Sequence, residues 1–314
     1  MQYFTTHAPI EAWPSDEGMM TIGVACVCER GECFVLASDL RATYGTVPHG
    51  SHYERIGPND QCGKVFCVLP RLIGCVAGRM SECHSVISHT ITYLRRLAAS
   101  KKIVRELVPA CVDQARIREM RRIYNWALEK NWGISLNQFV RGKVPGGKLD
   151  QLLIRACQHL LKDTHLRVHL ILVGFVNGQG VFIRAVQKET LQEESSPAVY
   201  AIGAGSPHAM RVLNQRGQHH GMSLPRTLLH IHEAMHEARK EQTVGPAFGY
   251  LMIRKREQKI LHLPSTSSTL EDWRKAYAKR PTTASLDDSR IAAVQIRQQL
   301  QVFEIPKQYD PRRR

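Results

Sequence analysis

Residues 22–78 alternate short apolar runs with turn residues, a pattern that strands satisfy and helices do not. Ile22 to Cys28 is apolar, Glu29-Arg30-Gly31-Glu32 supplies a turn, and Cys33 to Ser38 is apolar again. Two such runs joined by a glycine-containing loop predict a hairpin. After a polar, glycine-rich stretch from Gly45 to Cys62, Lys64-Val65-Phe66-Cys67-Val68 and Leu72 to Gly78 form a second strand pair around Leu69-Pro70-Arg71. Between Ser81 and Ala99 the spacing turns helical, with Val86, Ile87, Ile91, Leu94 and Leu97 on one broad face. Strand runs return at Val168–Phe175 and Gly180–Val186, followed by further helices. This order predicts an α+β chain.

Two segments stand apart from that core. Arg116 to Lys130 reads as a basic helix in which Arg116, Arg118, Arg121 and Arg122 alternate with Ile117, Met120, Ile123, Tyr124 and Trp126. Asn131-Trp132-Gly133 ends it, Val144-Pro145-Gly146-Gly147 forms a loop, and Leu149–Leu161 is an amphipathic helix. Residues 103–148 are therefore expected to be a helical insertion that covers a cleft, contacts neighbouring subunits or presents a solvated face. Beyond the linker-like Leu263-Pro264-Ser265-Thr266-Ser267-Ser268-Thr269, residues 263–314 form a basic extension ending Pro311-Arg312-Arg313-Arg314.

Bulk properties narrow the function. The 314 residues are 43% apolar, enough for a substantial core, and carry a formal charge of +15 that suits anionic partners or an acidic assembly neighbour. No nucleic-acid-binding signature accompanies the charge, so nucleic acid is not the expected partner. Nine cysteines, several within apolar runs, do not form a secreted disulfide framework; reduced thiols and a cytoplasmic location are expected. Cys26-x-Cys28 and Cys33 read as buried thiols rather than metal ligands, because strand alternation turns Cys26 and Cys28 to one face. No run of eighteen apolar residues occurs, so no membrane span is predicted.

Thr21 carries the sharpest chemical suggestion. It sits at the start of the first strand in Met19-Met20-Thr21-Ile22-Gly23-Val24-Ala25. An N-terminal threonine is nucleophile and base in one residue: the hydroxyl attacks and the α-amino group, unperturbed pKa near ~8, takes its proton. Methionine removal after a start at Met20, or loss of a leader comprising residues 1–20, would expose it. That leader holds Glu11, Asp16 and Glu17 without an apolar core, unlike a secretory signal.

Five stretches in order resemble the β-type subunits of proteasomes and their bacterial relatives, the N-terminal-nucleophile hydrolases. They are Thr21-Ile22-Gly23-Val24-Ala25, Leu36-Ala37-Ser38-Asp39-Leu40-Arg41-Ala42-Thr43, Gly63-Lys64-Val65, Gly74-Cys75-Val76-Ala77-Gly78 and Ala201-Ile202-Gly203-Ala204-Gly205-Ser206. The resemblance covers residues 21–105 and 165–262 and implies a four-layer αββα sandwich spanning 21–262. It implies a threonine-type peptidase or amidohydrolase with no cofactor, acting on peptides or small amides. A homo-oligomeric ring is also implied, while no motif specifies an ATPase partner.

By the same resemblance, Thr21 is the nucleophile. Lys64 would lower the basicity of its amine, and Asp39 would keep that lysine protonated and oriented. Arg41 falls near the cluster, Gly78 would offer its N–H to the developing oxyanion, and Ser206 and Glu241 would support the site. The chain also departs from the family. Ala204 and Val244 stand where serines are usual, Glu241 replaces an aspartate, and Arg79 follows Gly78 where small residues are usual. No glycine precedes Thr21, which favours methionine removal over self-cleavage. Ala204 and Val244 keep open a second expectation, a catalytically silent scaffold or assembly subunit.

His232-Glu233-Ala234-Met235-His236 is a literal H-E-x-x-H on a predicted helix after Pro225. Such a helix would turn both imidazoles toward zinc with Glu233 as base. No third ligand stands at a familiar spacing and the family fold needs this helix for packing, so a zinc peptidase is the weaker alternative and no metal is expected. Gly203-Ala204-Gly205-Ser206 lacks the lysine of a phosphate-binding loop and reads as a turn opening a helix.

Overall fold

The computed structural model describes residues 22–39, 47–49, 52–54, 64–100, 103–186, 189–192, 198–241, 244–245, 248–257, 260–263, 270, 272 and 301–302. Strands β1 (Ile22–Cys28) and β2 (Cys33–Asp39) form the expected hairpin, in register from Gly23 opposite Ser38 to Cys28 opposite Cys33. Arg30 and Gly31 turn the chain with positive φ. A small pair, β3 (Val47–His49) and β4 (His52–Glu54), precedes β5 (Val65–Leu69) and β6 (Leu72–Gly78).

Helix α1 (Met80–Ala99) follows at once, and its buried residues Cys83, Val86, Ile87, Ile91 and Leu94 repeat at helical spacing. Helix α2 (Leu107–Trp132) ends at Gly133, which adopts the left-handed conformation that β-carbons disfavour. Then come α3 (Leu136–Arg141), the hairpin β7 (Lys143–Val144) and β8 (Gly147–Lys148), and α4 (Gln151–Asp163). Ser135 and Gln138 close a reciprocal capping box on α3, and the Asp150 carboxylate caps α4.

Strands β9 (Val168–Val176), β10 (Gln179–Val186), β11 (Glu189–Gln192) and β12 (Val199–Gly203) lead to α5 (Ser206–Gln215) and α6 (Leu224–Ala238). The last strands are β13 (Phe248–Arg254), β14 (Ile260–Leu263) and β15 (Gln301–Val302).

Two larger sheets, antiparallel throughout, organise the molecule as a mixed α+β fold. One has six strands in the order β12-β1-β2-β13-β14-β15, the other five in the order β11-β10-β9-β6-β5. Alternation along the strands sends one set of side chains between the sheets. Phe34, Leu36, Ile202 and Leu251 from the first meet Ile73, Cys75, Ile171 and Phe175 from the second. The opposite faces are covered by helices. Val24, Val35 and Met252 cluster with Leu213 of α5 and Leu228, Ile231 and Met235 of α6. Leu72, Leu170 and Ile183 cluster with Leu94 of α1 and Val112 of α2.

The helical insertion is only partly separate. The first half of α2 packs into the main core through Val108, Cys111, Val112 and Ala115. Its second half joins α3 and α4 around Leu128, Ile134, Leu149 and Cys157. The expected alternation on α2 is inverted at one point. Arg116 is 5% exposed and paired with Asp113 at 3.5 Å, while Ile117 is 52% exposed. The basic extension also contributes to the main body: Leu270 is buried against the α5–α6 side, and β15 pairs with Leu261 and His262 of β14. No helix among the described residues is long and apolar enough to cross a membrane.

Candidate active site

Four strand ends converge at one end of the paired sheets. β1 begins at Ile22 opposite Gly203, the end of β12; β2 ends at Asp39 opposite Phe248, the start of β13. In the second sheet β5 starts just after Lys64, and Gly78 at the end of β6 lies opposite Val168 at the start of β9. Hydrophobic strands thus deliver polar residues to a common edge: Asp39 closes an apolar run, and Lys64 opens one.

Asp39 is fully buried and Lys64 is 4% exposed. The Lys64 ammonium donates to both carboxylate oxygens at 2.9 Å. Two backbone amides also donate to the carboxylate: Ile22 N–H to Oδ1 at 3.1 Å and Gly245 N–H to Oδ2 at 3.1 Å. Removing a carboxylate and an ammonium from water is costly, and four donated hydrogen bonds are what make this arrangement tolerable. Cys75 lies beside the pair; burial pushes its thiol well above its ordinary range, with the Asp39 charge adding to the rise and the Lys64 charge opposing it. Across from Cys75 the backbone must come close, since a β-carbon on Gly23 would stand 2.5 Å from the Cys75 sulfur.

Gly78 forms the corner between β6 and α1 with φ +130°, and a β-carbon there would lie 1.9 Å from the Arg167 carbonyl oxygen. Only glycine fits. Arg79 N–H donates to that same oxygen at 2.9 Å, and the Arg79 guanidinium reaches Glu82 at 3.3 Å. Arg79 therefore turns toward an internal partner rather than standing as an isolated cation at the cleft.

The remaining expected residues fall as follows. Thr21 and Arg41 lie outside the described residues. Ser206 opens α5 directly after the Gly203–Gly205 turn. Glu241 begins the loop that carries Gly245, and its backbone carbonyl accepts from Val244 N–H at 3.0 Å. Val244 is 5% exposed, and its side chain lies 3.0 Å from where a Gly205 β-carbon would stand, with Ile22 at 3.2 Å. An apolar contact occupies this corner.

The H-E-x-x-H segment lies on α6 as expected, but its side chains are engaged elsewhere. His232 Nδ1 is 2.7 Å from the Tyr250 hydroxyl, and its ring meets that of His236 edge-on at 4.6 Å. The Glu233 carboxylate receives two bonds from Arg216, at 2.8 and 3.0 Å. Among the described residues no group of three or more His, Cys, Asp or Glu is arranged to hold a metal. The eight described cysteines are all free and buried.

The amides of Ile22 and Gly245 and the buried Glu82 and Glu119 were not singled out by sequence reasoning. The first two act through the backbone and have no side-chain signal; the glutamates look like ordinary helical surface charges until their burial is seen. Compared with known proteins, the chain matches no family model, and no curated protein is significantly similar to it.

Proposed function

We propose that the chain is a threonine-type amide hydrolase of the N-terminal-nucleophile class, and that its helix-sheet-sheet-helix packing is that class's four-layer αββα sandwich. The observation that carries the reading is the Asp39–Lys64 pair, with the Ile22 amide anchored on its carboxylate. That amide is the peptide nitrogen next to Thr21, so a nucleophile at this position is tethered to the carboxylate that holds a buried ammonium. In this reading the Thr21 hydroxyl gives its proton to the free α-amine and attacks a peptide or small-amide carbonyl. The tetrahedral oxyanion takes the Gly78 N–H, a donor worth roughly 3 kcal/mol in comparable sites. The C–N bond then breaks, the amine leaves with the proton, and water hydrolyses the Thr21 ester. A homo-oligomeric ring would enclose such a site.

The buried Val244 against Gly205 and Ile22 favours a second reading. The Val244 side chain brings no hydroxyl to orient an amine or a water, as a catalytically silent assembly subunit would tolerate.

The test is the N-terminal residue and intact mass of the protein from its native host, followed by hydrolysis of a fluorogenic peptide panel. The hydrolase reading expects a chain beginning at Thr21 whose activity disappears in Thr21→Ala. A mature chain retaining residues before Thr21, or activity that survives the substitution, rejects it.

A further inference from the structure

Two buried carboxylates stand behind the Gly78–Arg79 corner, and no exposed face accounts for them. Glu82, on the first turn of α1, is 3% exposed. Its Oε2 accepts from the Arg167 backbone N–H at 2.8 Å, and its Oε1 faces the Arg79 guanidinium at 3.3 Å. The other end of Arg167 closes the circuit. Its carbonyl accepts the Arg79 N–H at 2.9 Å and fills the space where a Gly78 β-carbon would go.

Glu119, fully buried on α2, supports this arrangement from behind. It accepts the Ser85 hydroxyl at 2.5 Å and Arg122 Nε at 2.9 Å. Burial raises the Glu82 carboxyl above its ordinary range and the Glu119 charge raises it further, while the Arg167 amide and the Arg79 cation oppose the shift. A carboxylate accepting a backbone N–H makes a bond roughly twice as strong as a neutral acceptor would. Glu82 thus binds the helix that follows Gly78 to the strand segment that packs against Gly78.

We infer that Glu82 is a positioning residue for the oxyanion-binding amide: through the Arg167 backbone, whose carbonyl holds the Arg79 N–H, it fixes the direction in which the corner presents the Gly78 N–H. This role rests on the hydrolase reading above. A donor that drifts by about 1 Å costs on the order of 100-fold in rate, so the anchor acts on turnover rather than on substrate affinity.

The experiment compares wild type, Glu82→Gln, Glu82→Asp and Glu82→Ala, all with Thr21 exposed. It reads kcat and KM on the peptide panel, and amide hydrogen exchange at Arg79 and Arg167. Gln retains an oxygen for the Arg167 N–H and keeps kcat within about threefold; Ala loses about 10- to 100-fold in kcat with KM within about twofold. Asp, one methylene short, falls between them and stands in for Ala if Ala does not fold. Exchange at both amides quickens in Asp and Ala but not in Gln.

Wild-type kcat in Asp or Ala overturns the proposal, as does a Gln variant as impaired as Ala, or exchange unchanged in every variant. If the Thr21-exposed wild type hydrolyses nothing, the hydrolase reading fails and the catalytic role of Glu82 fails with it. The exchange data then still report whether Glu82 holds the corner, which separates the two failures.

Discussion

Lys64 and Asp39, twenty-five positions apart, meet through two 2.9 Å hydrogen bonds at the junction of the two sheets, where neither is more than 4% exposed. The pair links the end of β2 to the start of β5, so it joins one sheet to the other as well as marking the candidate site.

Breaking that pair from one side leaves an uncompensated buried charge. Lys64→Ala is expected to destabilise the protein by about 3–5 kcal/mol, measured by urea unfolding at neutral pH. Replacing both partners with apolar residues, Asp39→Leu with Lys64→Met, is expected to cost less than the sum of the single changes. Equal and additive losses would show that the two groups do not interact energetically.

Gly78→Ala meets the Arg167–Val168 backbone, with the Arg167 oxygen 1.9 Å from the new carbon. A large loss of stability, several kcal/mol, is expected from the combined clash and positive φ. Gly146→Ala is the control: φ is +106° there, but no atom lies within 4 Å, so only the smaller conformational penalty applies. Comparable thermal midpoints for the two variants would contradict the contact.

His230 is fully buried, bonded through Nδ1 to Gln218 Oε1 at 2.8 Å, and its pKa is lowered to about 4. Burial is the main cause, with the charges of Arg226 and Arg216 adding to it. The folded state therefore binds fewer protons than the unfolded chain between about pH 4 and the ordinary histidine value of about 6.5. Stability from this group is present above pH 6.5 and is lost as the pH falls through that window, on the order of 3 kcal/mol in total. His230→Phe should flatten this part of the stability–pH curve while lowering stability at pH 7, because Gln218 loses a partner. An unchanged slope would assign the acid sensitivity elsewhere.

Chelation separates the two hydrolytic chemistries. With Glu233 held by Arg216 and His232 by Tyr250, any peptidase activity is expected to survive prolonged treatment with a strong chelator, and His236→Phe is expected to retain it. Loss on chelation with recovery on adding zinc would return the H-E-x-x-H segment to the centre of the site.

The first hairpin was legible almost to the residue, because its apolar runs are uninterrupted and a charged turn divides them. The basic stretch places the start of helix α2 near Arg116, whereas the helix begins at Leu107. Pro109 obscures the start, although proline is tolerated in a first turn, where its missing N–H costs nothing. The burial of Arg116 beside exposed Ile117 could not be read from periodicity, since it depends on which neighbours α2 finds. Strand β15 is two residues long and carries no periodic signal at all. At the candidate site the resemblance points to Asp39, Lys64 and Gly78, whereas the Ile22 and Gly245 amides that also donate to Asp39 are main-chain groups with no side-chain signal.

The pairing of β15 with β14 has a practical meaning for anyone who trims the chain. A boundary drawn after Leu263 would remove the strand that borders Leu261 and His262 and leave their outward N–H and C=O groups open. Extended segments of other molecules could then complete the sheet instead. The shortened protein would tend to self-associate through that border, and a loss of solubility on truncation should be read first as an unprotected edge rather than as a failure of the core.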